Sequence, residues 1–268
     1  MRVVIIGGGF GGAFTAKYLR RFAPREWEIE LINSTNYFVF QPLLPEVASG
    51  TISAPDAVTP LRRMLPGVKV RMADVIGVNR EDREVRFLQG SKRVPLGIKY
   101  DHLVIAIGQE TNLARTPGFQ EHSLTMRNLA DAHELRNHVI RCLEHADVTE
   151  DAELRRELLT FVVAGGGFSG VETIGELTDM IDRTLRYYPN LQSTDIKAVL
   201  VQRGQRILPE LTARLGDYAH RKLAGRGIQI LLGASITSAA NPRAAINNSL
   251  WRIGRGPKGS DQTASRRY

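Results

Sequence analysis

Two glycine clusters, Gly7-x-Gly9-x-x-Gly12 and Gly165-x-Gly167-x-x-Gly170, are the residues of this 268-residue chain whose types and spacing can do chemistry. In such a run the first glycine permits a tight turn, and the second lets backbone amides approach a pyrophosphate. The third lets a helix pack closely on a strand, with its N-terminal dipole aimed at the phosphates. The clusters lie 158 residues apart. Two such sites in one chain can hold two dinucleotides face to face, and the natural chemistry is hydride transfer from a nicotinamide to a flavin. The first cluster is then expected to seat FAD and the second NADH or NADPH. A flavin needs an oxidising partner. A disulfide acceptor requires two cysteines and the chain has one, so quinone, oxygen or another small acceptor remains.

The elements that must position these loops are legible as hydrophobic patterns. Val3 to Ile6 and Leu159 to Ala164 are continuous apolar runs, which predict buried strands directly before each glycine cluster. Helical patterns follow, through Ala16, Leu19 and Phe22 in the first case and over Val171 to Tyr187 in the second. Trp27 to Ile32 alternates and predicts the next strand of the first module; Ile196 to Val201 predicts its counterpart in the second. Further strands are expected at Val68–Ala73, at Glu84–Leu88 and Lys92–Leu96 as a hairpin, at Tyr100–Gly108 as a buried strand, and at Ile228–Leu232. Helices are expected at Ala57–Met64, Asp131–Ala146 and Arg214–Gly225. Asn33 to Pro45 carries prolines that argue against regular structure, and its aromatic and leucine content suggests a loop lining something apolar. The fold expected is α/β, with two Rossmann-like dinucleotide-binding modules, the second nested after the first. Their expected limits are 1–113 and 114–240, with a basic, disordered tail over 241–268.

Composition bounds the alternatives. At 43% apolar and 24% charged residues, wholesale disorder is excluded. No stretch approaches the roughly 18–20 apolar residues of a spanning helix. Cys142 falls on the apolar stripe of its helix and reads as a buried structural thiol; a cysteine-rich metal site is ruled out, and no metal site is expected. The tail holds six basic residues and one acid, hence +5 of the net charge of +8, so the basicity is local and no nucleic-acid partner is expected.

The stretches Val4–Gly12, Asn36–Thr51, Gly165–Glu172, Gly175-Glu-Leu177 and Arg186-Tyr-Tyr188 resemble the type II NADH:quinone oxidoreductases, flavoproteins that pass electrons from NAD(P)H to quinone without pumping protons. The resemblance spans roughly residues 1 to 240, and the Asn36–Thr51 stretch is its most specific part. It implies that Gly7, Gly9, Phe10, Gly11 and Gly12 seat the FAD pyrophosphate, that Val75 touches the adenine through its backbone, and that Gly108 closes the first FAD domain. Asn36 to Leu44 would flank the flavin ring, with Gln41 bordering the quinone pocket and counted with Glu172 as catalytic. Gly165, Gly167 and Gly170 would seat the nicotinamide dinucleotide, and Glu172, on the first turn of the second helix, would face the nicotinamide. The simpler reading of Glu172 is a carboxylate satisfying the helix dipole.

Three features depart from that pattern. The acid expected at the end of each module's second strand is Asn33 in one and Gln202 in the other. Asn33 can still accept a hydrogen bond from a ribose, while Gln202 beside Arg203 would tolerate the 2′-phosphate of NADPH. Third, the match stops near Ser238, which implies a truncated or frameshifted product lacking the return to the flavin domain. The expected partner is a quinone, in the cytoplasm, with at most peripheral contact at the inner face of the cell membrane; a homodimer is open to the chain. The competing readings are a catalytically dead dinucleotide-binding remnant or sensor, and another FAD/NAD(P) reductase, against which the Asn36–Thr51 loop argues.

Overall fold

A computed structural model of the chain describes residues 1–240 and the backbone of 250–255. The first part of the chain runs β1 (Arg2–Ile6), α1 (Phe10–Phe22), β2 (Glu28–Asn33), β3 (Tyr37–Val39), α2 (Leu44–Ser49), β4 (Val58–Pro60), α3 (Leu61–Met64), β5 (Lys69–Asn79), β6 (Glu84–Gln89), β7 (Val94–Lys99) and β8 (His102–Ile105). It continues through α4 (Phe119–His122), α5 (Leu129–Val148), α6 (Ala152–Leu158), β9 (Thr160–Ala164), α7 (Phe168–Leu185), β10 (Lys197–Gln202), α8 (Ala213–Ala224), β11 (Gln229–Leu232), β12 (Ala234–Ala240) and β13 (Leu250–Arg255). Two compact units result: Met1–Phe40 with Ala54–Thr111, and Gln41–Ser53 with the described residues from Asn112 onward. The segment Gln41–Ser53 leaves the first unit and returns to it.

The first unit is built on a sheet ordered β7-β6-β5-β2-β1-β8 among the described residues. Strands β5, β2, β1 and β8 are parallel neighbours; β5, β6 and β7 are antiparallel. Parallel strands need crossovers, and α1 supplies the one from β1 to β2, as in a doubly wound fold. Flanked by β2 and β8, β1 is buried from Val3 to Ile6 because neighbouring layers cover it. One face packs Val3, Ile5, Leu31 and Val70 with Ala13 and Ala16 of α1; the other packs Val4, Ile6 and Ile32 against Val85 and Phe87. The second unit repeats the theme in miniature, with a parallel sheet ordered β11-β10-β9 and α7 as the crossover from β9 to β10.

Several expectations are corrected by this architecture. Asn33 to Pro45 is not an irregular loop: Tyr37–Val39 pairs with Val58–Pro60, and a 3-10 turn at Gln41–Leu43 leads into α2. Pro45 is tolerated because it occupies the opening turn of α2, where its missing N–H has no intrahelical partner to lose. The expected helix at Ala57–Met64 reduces to Leu61–Met64, since Val58–Pro60 is drawn into that pairing. The expected buried strand at Tyr100–Gly108 is the short β8 at the sheet edge, with Ile105 62% and Ile107 72% exposed. The alternation of Trp27–Ile32 would place Glu30 outside, yet Glu30 is buried, held by Arg71 at 2.5 Å and Lys69 at 3.5 Å. The tail is not wholly irregular either: Leu250–Arg255 pairs antiparallel with β12. The rest of 241–268 lies outside the described residues.

Candidate dinucleotide sites

Both glycine clusters fold into the same turn, and the reason is steric. Gly7 has φ +103° and Gly165 φ +107°, a region that side chains disfavour. A Cβ on Gly7 would strike the carbonyl of Ala106; one on Gly12 would strike the carbonyl of Gly7, and one on Gly170 that of Gly165. The third glycine of each cluster is therefore what lets α1 and α7 start against their own strands. The second glycine behaves differently. A Cβ on Gly9 or Gly167 would meet nothing within 4 Å, so the space beside each helix start is open. Gly9 and Gly167 are also the N-caps of α1 and α7, and neither gives a side-chain cap. The first amides of each helix thus stay available to an anion, in line with the helix dipole.

The first glycine of each loop and the residue after it are tied to the neighbouring strand in a repeated pattern. Gly7 N–H donates to Ile32 O at 2.9 Å, and Gly165 N–H to Val201 O at 2.8 Å. One residue on, Gly8 N–H donates to Asn33 Oδ1 at 2.8 Å and Gly166 N–H to Gln202 Oε1 at 3.1 Å. Asn33 Nδ2 in turn donates to Thr35 O and Oγ1, both at 3.0 Å, and Gln202 Nε2 to Arg206 O at 3.3 Å. The amide oxygen expected to meet a ribose at Asn33 is thus already bonded to its own glycine loop. These side chains hold the loops, a role that the two departures from the acidic pattern did not suggest. Arg203 is exposed at the end of β10, while Arg206 is turned back to donate to Pro209 O at 2.6 Å.

In the first unit Phe10 and Gly11 open α1 at the surface. Phe10 sits in an aromatic group with Phe14, Phe38 and Phe40, at ring separations of 6.3, 5.0 and 5.5 Å. Asn36 is exposed, its carbonyl accepting from Leu61 N–H at 2.9 Å. Val75 lies where β5 bulges against β6, between Val75 and Gly77, and Gly108 follows β8 at φ +71° with open space beside it.

In the second unit α2 packs against α7. Gln41 is exposed and its Nε2 donates to Arg127 O at 3.1 Å. Ser49 and Thr51 hydroxyls donate to Glu176 Oε2 at 2.6 and 3.0 Å, which makes Glu176 the better-held acid of the pair on α7. Glu172 is the fifth residue of α7 rather than a first-turn residue, so the dipole reading of its carboxylate loses force. Its acidity points the other way: burial first, and then the charge of Glu46, hold its carboxyl above the usual carboxylate range. Glu46, Ser49 and Thr51 all fall within the Asn36–Thr51 stretch, but nothing in their spacing announced that they meet α7. Among the described residues no cluster of His, Cys, Asp and Glu could hold a metal ion, and no helix is long and apolar enough to cross a membrane. Cys142 is buried on α5, and burial pushes its thiol up to about 11.

Paired glycine cradles on parallel sheets define a dinucleotide-binding oxidoreductase fold. Over residues 1–250 the chain matches the family model described as pyridine nucleotide-disulphide oxidoreductase, and it belongs to that family. Within it, the resemblance to type II NADH:quinone oxidoreductases is borne out. The chain is 34% identical over 254 residues to the type II NADH:quinone oxidoreductase Ndh of Mycobacterium tuberculosis, covering 92% of this chain and 53% of that protein. It is 31% identical over 251 residues to the mitochondrial external alternative NAD(P)H-ubiquinone oxidoreductase B1 of Solanum tuberosum, covering 90% and 43%. The fold is shared with NDH2 from Plasmodium falciparum solved in complex with NADH, at a TM-score of 0.80 and 24% identity, over 89% of this chain and 49% of that one. The chain spans about half the length of the curated relatives it matches.

Proposed function

We propose that this chain binds FAD at Gly7–Gly12 and NAD(P)H at Gly165–Gly170, and serves electron transfer from NAD(P)H to a quinone without proton pumping. The observation that carries the reading is the repeated cradle: two left-handed first glycines, two open second glycines and two third glycines on which no Cβ fits. Both cradles fit a diphosphate, which backbone amides at a helix start can bind. FAD, when bound, accepts reducing equivalents from the nicotinamide and passes them to the acceptor. Gly7, Gly9, Phe10, Gly11 and Gly12 are assigned to FAD, with Asn33 holding the loop and Asn36, Gln41, Val75 and Gly108 contributing around it. Gly165, Gly167 and Gly170 are assigned to NAD(P)H, with Gln202 holding the loop, Arg203 near the ribose and Glu172 towards the nicotinamide. Gln41 is assigned to the border of the quinone pocket. The names of the relatives support the quinone as acceptor. A cytoplasmic location with peripheral contact at the inner face of the membrane, and a homodimer, complete the reading.

The test is purification of the chain, a visible spectrum after incubation with FAD, and NADH consumption with a soluble quinone. Bound flavin with quinone-dependent NADH oxidation is the expected result; absence of both refutes the reading. A second reading is a dinucleotide-binding protein without turnover. Retention of NADH or FAD with no electron transfer is its signature.

A further inference from the structure

Beyond its first turn, α1 carries an outward side that the cradle does not use. Phe10, Phe14, Tyr18 and Phe22 recur every fourth residue, which places them on one stripe of the helix. All four are exposed, Phe22 at 73% and Tyr18 at 51% the most. Their rings pair along the stripe: Phe10 with Phe14, and Tyr18 with Phe22, are each 6.3 Å apart and nearly parallel. Together they line an open groove of about 480 Å³ whose walls are mostly apolar. Apolar residues scattered singly over a surface are ordinary, whereas a contiguous row of aromatic rings marks a place of contact. We propose that this stripe of α1 docks on an anionic lipid bilayer, its rings entering the headgroup region and the neighbouring cations meeting the lipid phosphates.

Charge selects the occupant. Along its 13 residues α1 has three cations, Lys17, Arg20 and Arg21, and no acid. Arg20 is spent on the chain itself, donating to Trp27 O at 3.0 Å and Pro24 O at 2.8 Å. Lys17 and Arg21 stay exposed and lie over the stripe, 5.8 Å from the Phe14 ring and 5.3 Å from the Phe22 ring; Arg25 follows, also exposed. Among the described residues none of Lys17, Arg21 and Arg25 is paired with a carboxylate. Aromatic rings suit the boundary between headgroup and acyl chain, and long basic side chains keep their charge at headgroup level while their stems follow the rings inward. A second copy is a poor fit, because two such stripes face to face would oppose cations with no acid on either side to receive them. The stripe would supply the peripheral membrane contact proposed above, and its role rests on that reading.

The test is cosedimentation of the full chain, without nucleotide, with vesicles of phosphatidylglycerol and phosphatidylcholine in equal parts, and with vesicles of phosphatidylcholine alone. Binding to the mixed vesicles is expected, weaker by about tenfold or more on the neutral ones. Tyr18→Ser combined with Phe22→Ser removes the two most exposed rings and should weaken binding by about tenfold or more. Lys17→Gln combined with Arg21→Gln should weaken it to a similar degree, which keeps the test alive if the ring variant does not fold. Lys258→Gln, Arg266→Gln and Arg267→Gln together, which discharge the tail, should leave most of the binding. A parent chain that ignores the mixed vesicles, ring or charge variants that bind as the parent does, or a parent that dimerises through these rings in place of binding lipid overturns the proposal. Binding lost with the tail cations alone also overturns it, while leaving the peripheral contact in place. FAD uptake and quinone reduction are read separately, by the spectrum and the soluble quinone, so failure on vesicles is distinct from failure of that reading.

Discussion

Substitution of the second and third glycines of the first cradle should separate stability from binding. In Gly12→Ala two effects compete. Helix propensity favours alanine in the interior of α1 by about 1 kcal/mol. Against it, the new Cβ overlaps the backbone carbonyl of Gly7, which cannot rotate away as a side chain could, so α1 must lift off β1. Overpacking of this kind costs up to about 3 kcal/mol, and the net is a loss of about 2 kcal/mol. With a urea dependence of about 2 kcal/mol/M, the unfolding midpoint of the first unit should fall by about 1 M. Trp27, packed beside the core of that unit, reports the transition by fluorescence once Trp251 is replaced by Phe. Gly9→Ser is the counterpart. Its φ of −78° suits any residue, the space is open, and serine is a favoured N-cap, so stability should hold or rise by a few tenths of a kcal/mol. The same side chain occupies the room meant for a diphosphate, and FAD uptake, read by flavin fluorescence, should weaken by about tenfold or more, equivalent to about 1.4 kcal/mol. A Gly12→Ala variant as stable as the parent, or a Gly9→Ser variant that binds FAD unimpaired, would refute the steric account.

Other consequences are open to simple assays. Glu30→Ala leaves the Arg71 guanidinium, itself mostly buried, without its carboxylate and should cost about 3 kcal/mol in urea unfolding, far more than Glu28→Ala at the exposed Arg2 pair; equal losses would contradict the burial argument. The Cys142 thiol is pushed up to about 11 by burial, so its contribution to folding is full below about pH 9 and drains away as the pH rises towards 11. At pH 8 a disulfide reagent should react with it only as the chain unfolds, and reaction at the rate of a free thiol in the native protein would sink the assignment. Because residue 202 is a neutral amide followed by the exposed Arg203, NADPH should bind at least as tightly as NADH by isothermal titration; a tenfold preference for NADH counts against it.

The glycine cradles and their strands were legible from sequence because one residue type satisfies each constraint: only glycine fits at φ above +100° or against a carbonyl. What escaped were features set by neighbours rather than by local pattern. The apolar run Tyr100–Gly108 looks like a buried strand, yet burial needs a layer on every side, and β8 ends the sheet among the described residues. Glu30 obeys an alternation that its partner Arg71, 41 residues away, overrides. The excursion of Gln41–Ser53 into the second unit leaves no compositional mark, so the meeting of Glu46, Ser49 and Thr51 with α7 could not be read either. Asn33 and Gln202 were visible as departures from an acidic pattern, but their bonds to Gly8 and Gly166 appear only once strand and loop are in register.

Those two amides carry a consequence of their own. An aspartate or glutamate in the same place would accept the glycine N–H more weakly once protonated, and would loosen its loop as the solution approached pH 4. The carboxamides of Asn33 and Gln202 have no proton to gain in that range. Both cradles should therefore keep their shape from acid to alkaline conditions, leaving any pH dependence of nucleotide capture to groups outside the loops.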